Sequence, residues 1–167
     1  MYNNNVSTSK LTLNKGFTLI EVLITLAIVG VTAMIATNSY KNYIETTKIS
    51  VAISEIKTLS LIIDSYYLDN GHYPANLGQV DNANYLDPWG NPYVYVNFAE
   101  YNNNGGHEST SVSVARKDRN LVPINTNYDL YSSGKDGRSQ PPLAARDSLD
   151  DIIYATDGDY IGLARSF

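Results

Sequence analysis

Residues 17–36 form a run of twenty largely apolar positions that holds one charged side chain, Glu21. As a helix rising about 1.5 Å per residue, such a run covers roughly the 30 Å core of a bilayer, so it can cross a membrane once. Lys10 and Lys15 precede it, Lys41 and Lys48 follow it, and it contains no proline that would break it. An ionised carboxylate in hydrocarbon is costly and calls for a partner or a function. The nearest source of such a partner is a positive charge on another copy of the same segment. A secretory signal peptide also begins basic and continues apolar. This run is long for a signal core, however, and no small-residue cleavage site with a change to mature sequence follows it.

Past residue 36 the helical period continues. Ile49, Ala52, Ile53, Ile56, Leu59, Ile63 and Tyr66 or Tyr67 recur every three or four residues, while Lys48, Glu55, Lys57 and Asp64 fall mostly elsewhere. The stripe predicts an amphipathic stem, with its distal half packed on its own domain. It should end near Asp69-Asn70-Gly71, where glycine supplies a left-handed terminal residue and Pro74 bars any return. Alternation then replaces the helical period. Residues 93–98, 111–116 and 128–132 read as strands, the first two joined through Asn102-Asn103-Asn104-Gly105-Gly106. The expected class is α+β, a long N-terminal helix with a membrane half and an amphipathic half, packed on a small antiparallel sheet.

The segment Lys15-Gly16-Phe17-Thr18-Leu19-Ile20-Glu21-Val22 resembles the prepilin signature shared by type IV pilins and type II secretion pseudopilins. The resemblance implies that residues 1–16 are a leader cut between Gly16 and Phe17 by a prepilin peptidase, which also methylates the new amino group of Phe17. It implies that Glu21 meets the amino group of a neighbouring subunit's Phe17 during assembly. Residues 17–36 would then be the transmembrane and assembly helix, 37–70 the stem, and 71–167 the globular domain. A proline just past the apolar run is common in the family, but here Asn38 stands in its place. A helix break there lacks its usual cause, although Thr37-Asn38-Ser39 are weak helix formers. Asp87-Pro88-Trp89-Gly90-Asn91-Pro92-Tyr93, after His72-Tyr73-Pro74, reads as a rigid turn into a strand and is similar to the major (G-type) pseudopilin in order and spacing.

Near the C-terminus, Tyr128-Asp129-Leu130-Tyr131-Ser132-Ser133-Gly134-Lys135-Asp136-Gly137 is followed after an interval by Asp150-Asp151-Ile152. Acidic residues on a Gly-rich loop can supply the six to eight oxygens at about 2.4 Å that calcium takes. The EF-hand pattern is missing, and from the spacing alone solvated Asp-Gly turns account for the string better than calcium does. The similar loop of major pseudopilins binds one calcium ion. Carried over, the resemblance implies Asp136 and Asp150 as carboxylate ligands, Asp151 as an alternate, main-chain oxygen from Leu130 and Ser133, and Ser132 in the place of the family serine. Residues 138–149 lengthen the gap before Asp150. With no cysteine in the chain, such an ion would tie down the C-terminal segment where many pilins use a disulfide.

The net charge is −5, and loss of a leader carrying Lys10 and Lys15 makes it more negative, which argues against nucleic acid as a partner. His72 and His107 are the only histidines, and there is neither a nucleophile elbow nor a phosphate-cradling glycine motif, so no enzyme is expected. The tyrosines read as strand residues covering a small core. The resemblance implies a structural subunit, single-pass in the bacterial inner membrane with its C-terminal domain in the periplasm, polymerising with itself into a pseudopilus for type II protein secretion. Its implied partners are minor pseudopilins, the inner-membrane assembly platform and the prepilin peptidase. The alternatives are a type IV pilus subunit for adhesion, motility or DNA uptake, and a membrane-anchored binding module.

Overall fold

The computed structural model describes residues 16–80, 85–99 and 114–167, with the backbone alone at residue 38. The expected leader, apart from Gly16, and the expected turn at residues 102–106 lie outside the described residues. The chain divides into two compact units, Met1–Asn42 and Tyr43–Phe167. One helix, α1 (Leu19–Asn70), begins in the first and ends in the second. It is helical through residues 37–39, with no proline to interrupt it.

In the first unit α1 is apolar on every side. Leu19, Ile20, Leu23, Leu26, Val29 and Ile35 are all exposed, the pattern of a helix whose apolar surroundings are not part of its own chain. Its stretch is long and apolar enough to cross a membrane. The hydroxyls within it turn inward on the helix backbone. Thr25 donates to Val22 O at 2.8 Å, Thr32 to Ile28 O at 2.9 Å and Thr37 to Ala33 O at 2.8 Å, so none presents an unsatisfied donor to hydrocarbon.

In the second unit the stem stripe is core. Ala52, Ile56, Leu59 and Ile63 are buried against Tyr93, Tyr128, Leu130, Ile152 and Tyr154, with Ile49 and Ile53 partly buried beside them. The helix ends as its residues predict. Gly71 takes φ +75 and its N–H donates to Tyr67 O at 2.8 Å, closing the last turn.

Four strands, β1 (Val94–Asn97), β2 (Tyr128–Ser132), β3 (Ile152–Ala155) and β4 (Tyr160–Leu163), pair antiparallel in chain order as an open sheet. The register sets Tyr95 opposite Leu130, Ser132 opposite Ile152 and Ile153 opposite Gly162. Alternation sends Ile152 and Tyr154 to the helix side, whereas Ile153 and Ala155 join a second cluster with Ile124, Leu143 and Ala164. Both faces of β3 are therefore covered, and all four of its residues are buried. Of the strand expected over residues 111–116, the first three positions lie outside the described residues, and Val114 to Arg116 form no strand. Arg116 instead directs its main-chain N–H to the Asp129 side chain at 2.6 Å.

Candidate functional site

The N-terminal site is built from the first turn of α1. Thr18 and Glu21 stand three residues apart at the start of the apolar run and cap each other. Thr18 N–H and Thr18 Oγ1 each donate to Glu21 Oε2 at 2.8 Å, and Glu21 N–H donates to Thr18 Oγ1 at 3.3 Å. This is a capping box, legible as Thr-x-x-Glu before an apolar run, and it adds Thr18 to the residues read from the sequence. The Glu21 carboxylate thus has donors within its own chain before any partner arrives. Phe17 is 89% exposed, and among the described residues nothing lies within 4 Å of where a Cβ on Gly16 would stand.

The second candidate is the connection after β2. Asp87 is buried and fixes the turn beneath it, its Oδ1 accepting from Trp89 N–H at 3.0 Å and Asn91 N–H at 2.8 Å, while Ser132 Oγ donates to its Oδ2 at 2.5 Å. Asn91 Nδ2 donates to Gly134 O at 2.9 Å, and Gly134 N–H to Ser132 Oγ at 3.0 Å. Glu45 on the stem accepts from the Trp89 indole at 3.3 Å and lies 3.4 Å from Lys135 Nζ. The Asp-Pro-Trp-Gly string is therefore the clamp that seats residues 132–135.

The residues expected to hold calcium are divided by this arrangement. Asp136 and Asp150 meet at the turn, where Asp150 Oδ2 accepts main-chain N–H groups from Lys135 at 2.9 Å and Asp136 at 3.1 Å. The exposed Asp136 carboxylate accepts from Arg138 N–H at 2.8 Å. Ser132 is committed to Asp87, the Leu130 side chain is in the core and Ser133 is half-buried. Asp151 turns away into the interior, where it pairs with Arg116 and accepts from Ser139 Oγ at 2.6 Å. Burial raises its carboxyl to about 6, with Arg116 and Ser139 pulling the other way. Among the described residues, no three His, Cys, Asp or Glu side chains are placed to hold a metal ion together. With Asp151 paired to Arg116, two carboxylates of the expected set, Asp136 and Asp150, remain at the turn, and the rest of the six to eight oxygens that calcium takes would have to come from main chain and water.

A capped N-terminal carboxylate opening an apolar helix, whose distal half packs on a four-stranded antiparallel sheet, defines a prepilin-type, pilin-like protein. The prokaryotic N-terminal methylation motif matches residues 12–37. A type II secretion system core protein G of Escherichia coli is 29% identical over 144 residues, 74% of this chain and 83% of that protein. One of Pseudomonas aeruginosa is 30% identical over 102 residues, 48% of this chain and 72% of the relative. A fimbrial protein of Neisseria meningitidis is 42% identical over 65 residues, 39% of this chain and 38% of the relative. No solved structure matches the chain. It belongs to the family of type IV pilin-like proteins and type II secretion core protein G.

Proposed function

We propose that the chain is a structural subunit of a type II secretion pseudopilus. It polymerises through α1, with its globular unit on the periplasmic side of the inner membrane. The observation that carries this reading is how far each likeness extends. The match to the E. coli core protein G takes in 144 residues, whereas the match to the fimbrial protein stops at 65. Cleavage between Gly16 and Phe17 by a prepilin peptidase, with methylation of Phe17, supplies the amine that Glu21 meets on a neighbouring copy. Such a buried pair need add little net stability, because desolvation offsets attraction; its better-attested use is to set register. Minor pseudopilins and an inner-membrane assembly platform are the further partners of this reading.

The test is deletion of the gene in its source bacterium, followed by return of the wild-type chain or Glu21→Ala. The expected result is that exported enzymes accumulate in the periplasm of the deletion strain while surface pili and twitching are unchanged. The wild type restores secretion. Glu21→Ala inserts in the membrane but gives no sheared filaments and no secretion. Loss of surface pili with secretion intact would instead establish a type IV pilin.

A further inference from the structure

Two of the three Arg116 guanidinium nitrogens meet oxygen, while Nε, like Asp151 Oδ1, is buried without a partner among the described residues. Nη2 meets Asp151 Oδ2, and Nη1 meets Ser139 Oγ and, at 2.7 Å, Gln140 O. The Tyr131 ring lies 4.4 Å from the guanidinium carbon. Arg116 is 2% exposed and Asp151 is fully buried. A carboxylate, a hydroxyl and a main-chain carbonyl are the kinds of oxygen that a hard divalent cation gathers. These come from the connection after β2 and the approach to β3, the two segments that an ion shared by Asp136 and Asp150 would join.

The neighbouring carboxylate is held in another way. Asp150 Oδ2 is the anion that two main-chain N–H groups cradle, so that oxygen is already engaged by the turn. The turn is pressed on it so closely that a Cβ at Gly134, where φ is +64, would lie 2.4 Å from Asp150 O. Residues 138–149 complete the enclosure. Lys117 N–H donates to Pro141 O at 3.0 Å, Leu143 N–H donates to Lys117 O at 2.9 Å, and Ser148 Oγ donates to Gln140 O at 2.8 Å. Leu143 is buried in the second core cluster. The longer connection is what brings Ser139 and Gln140 to the guanidinium.

We propose that Arg116 is the resident cation of the C-terminal loop, engaging Asp151, the alternate ligand of the implied calcium set, so that the connection between β2 and β3 closes without a metal ion. A guanidinium is always charged and offers its donors in a fixed fork, so it can join the Asp151 carboxylate to the oxygens of Ser139 and Gln140. It is present from synthesis, and closure of the loop does not await a calcium-rich compartment.

The test is thermal unfolding of the full chain in detergent micelles, followed through Trp89, whose indole is bonded to the stem beside Lys135. The proposal expects one midpoint in chelator and in millimolar calcium, an unchanged midpoint for Asp136→Asn, and a midpoint several degrees lower for Arg116→Lys in both media. If Arg116→Lys does not accumulate as folded protein, Ser139→Ala, which removes one oxygen, is to show the same calcium-independent loss. A calcium-induced rise in the wild-type midpoint that Asp136→Asn abolishes overturns the proposal. So does wild-type stability in whichever of Arg116→Lys and Ser139→Ala is read.

Discussion

Two acidic side chains show how a carboxylate is handled in opposite surroundings. Glu21 opens an apolar helix and is held by its neighbour Thr18, a local solution that requires nothing beyond three residues of spacing. Thr18→Val removes the hydroxyl and is expected to speed amide hydrogen exchange in the first turn of α1, whereas Thr18→Ser leaves it slow. Asp87 is buried and depends on Ser132, forty-five residues away. Ser132→Ala leaves Asp87 Oδ2 without that donor and should cost about 1–3 kcal/mol, the range for an orphaned buried polar group. Chemical denaturation reads this as a lower midpoint with unchanged slope. Ser132 and Asp87 were both visible in the sequence, one as the last residue of an expected strand and the other as the head of a turn. That they bond each other was not, because no local pattern encodes a pair so far apart.

Among the elements, α1 was the most legible, since its period repeats within every turn and both its apolar run and its stripe are local. Its end at Asn70, ahead of Gly71, falls where the glycine and Pro74 had indicated. Ile56 lies fully inside the stripe, and Ile56→Ala should cost about 2–5 kcal/mol through lost contacts and the cavity left behind. Leu61 on the same helix is 62% exposed, and Leu61→Ala should change monomer stability by no more than about 0.5 kcal/mol. Equal losses at the two positions, measured on the chain in micelles, would contradict this assignment of faces. The strands were read unevenly for a physical reason. β1 and β2 showed as β-branched and aromatic runs beside turn residues, whereas β3 is Ile-Ile-Tyr-Ala without alternation because both of its faces are covered. β4, only four residues long, carries a glycine at its third position and gave no period to detect.

At the scale of the whole molecule, the stem, the sheet and the 132–135 turn are joined through tyrosines and acids. Tyr93 OH donates to Glu55 at 2.6 Å and Tyr95 OH to Pro74 O at 2.9 Å, while Tyr128 stacks on Tyr154 with ring centres 5.2 Å apart. Burial first, then neighbouring acidic groups or tyrosines, pushes the hydroxyls of Tyr93, Tyr95 and Tyr128 well above the ordinary tyrosine value near 10. A folded-state value above the unfolded one means that the fold favours the protonated hydroxyl. This contribution is full below about pH 10 and is lost as pH rises past it. Ultraviolet titration should therefore find a group of tyrosines that ionise only together with unfolding, and reversible ionisation of all of them with the fold intact would contradict it. What the sequence by itself determined is the set of features carried by neighbours: one membrane-length helix, the Gly16–Phe17 junction, the acid at Glu21, the stem stripe and the α+β class. The tertiary structure alone decided that Asp151 belongs to Arg116, that Asp150 rests on main-chain N–H groups and that β3 is covered on both faces. Those outcomes depend on which distant segments a compact core brings into contact, and Arg116 and Asp151 are thirty-five residues apart in the chain.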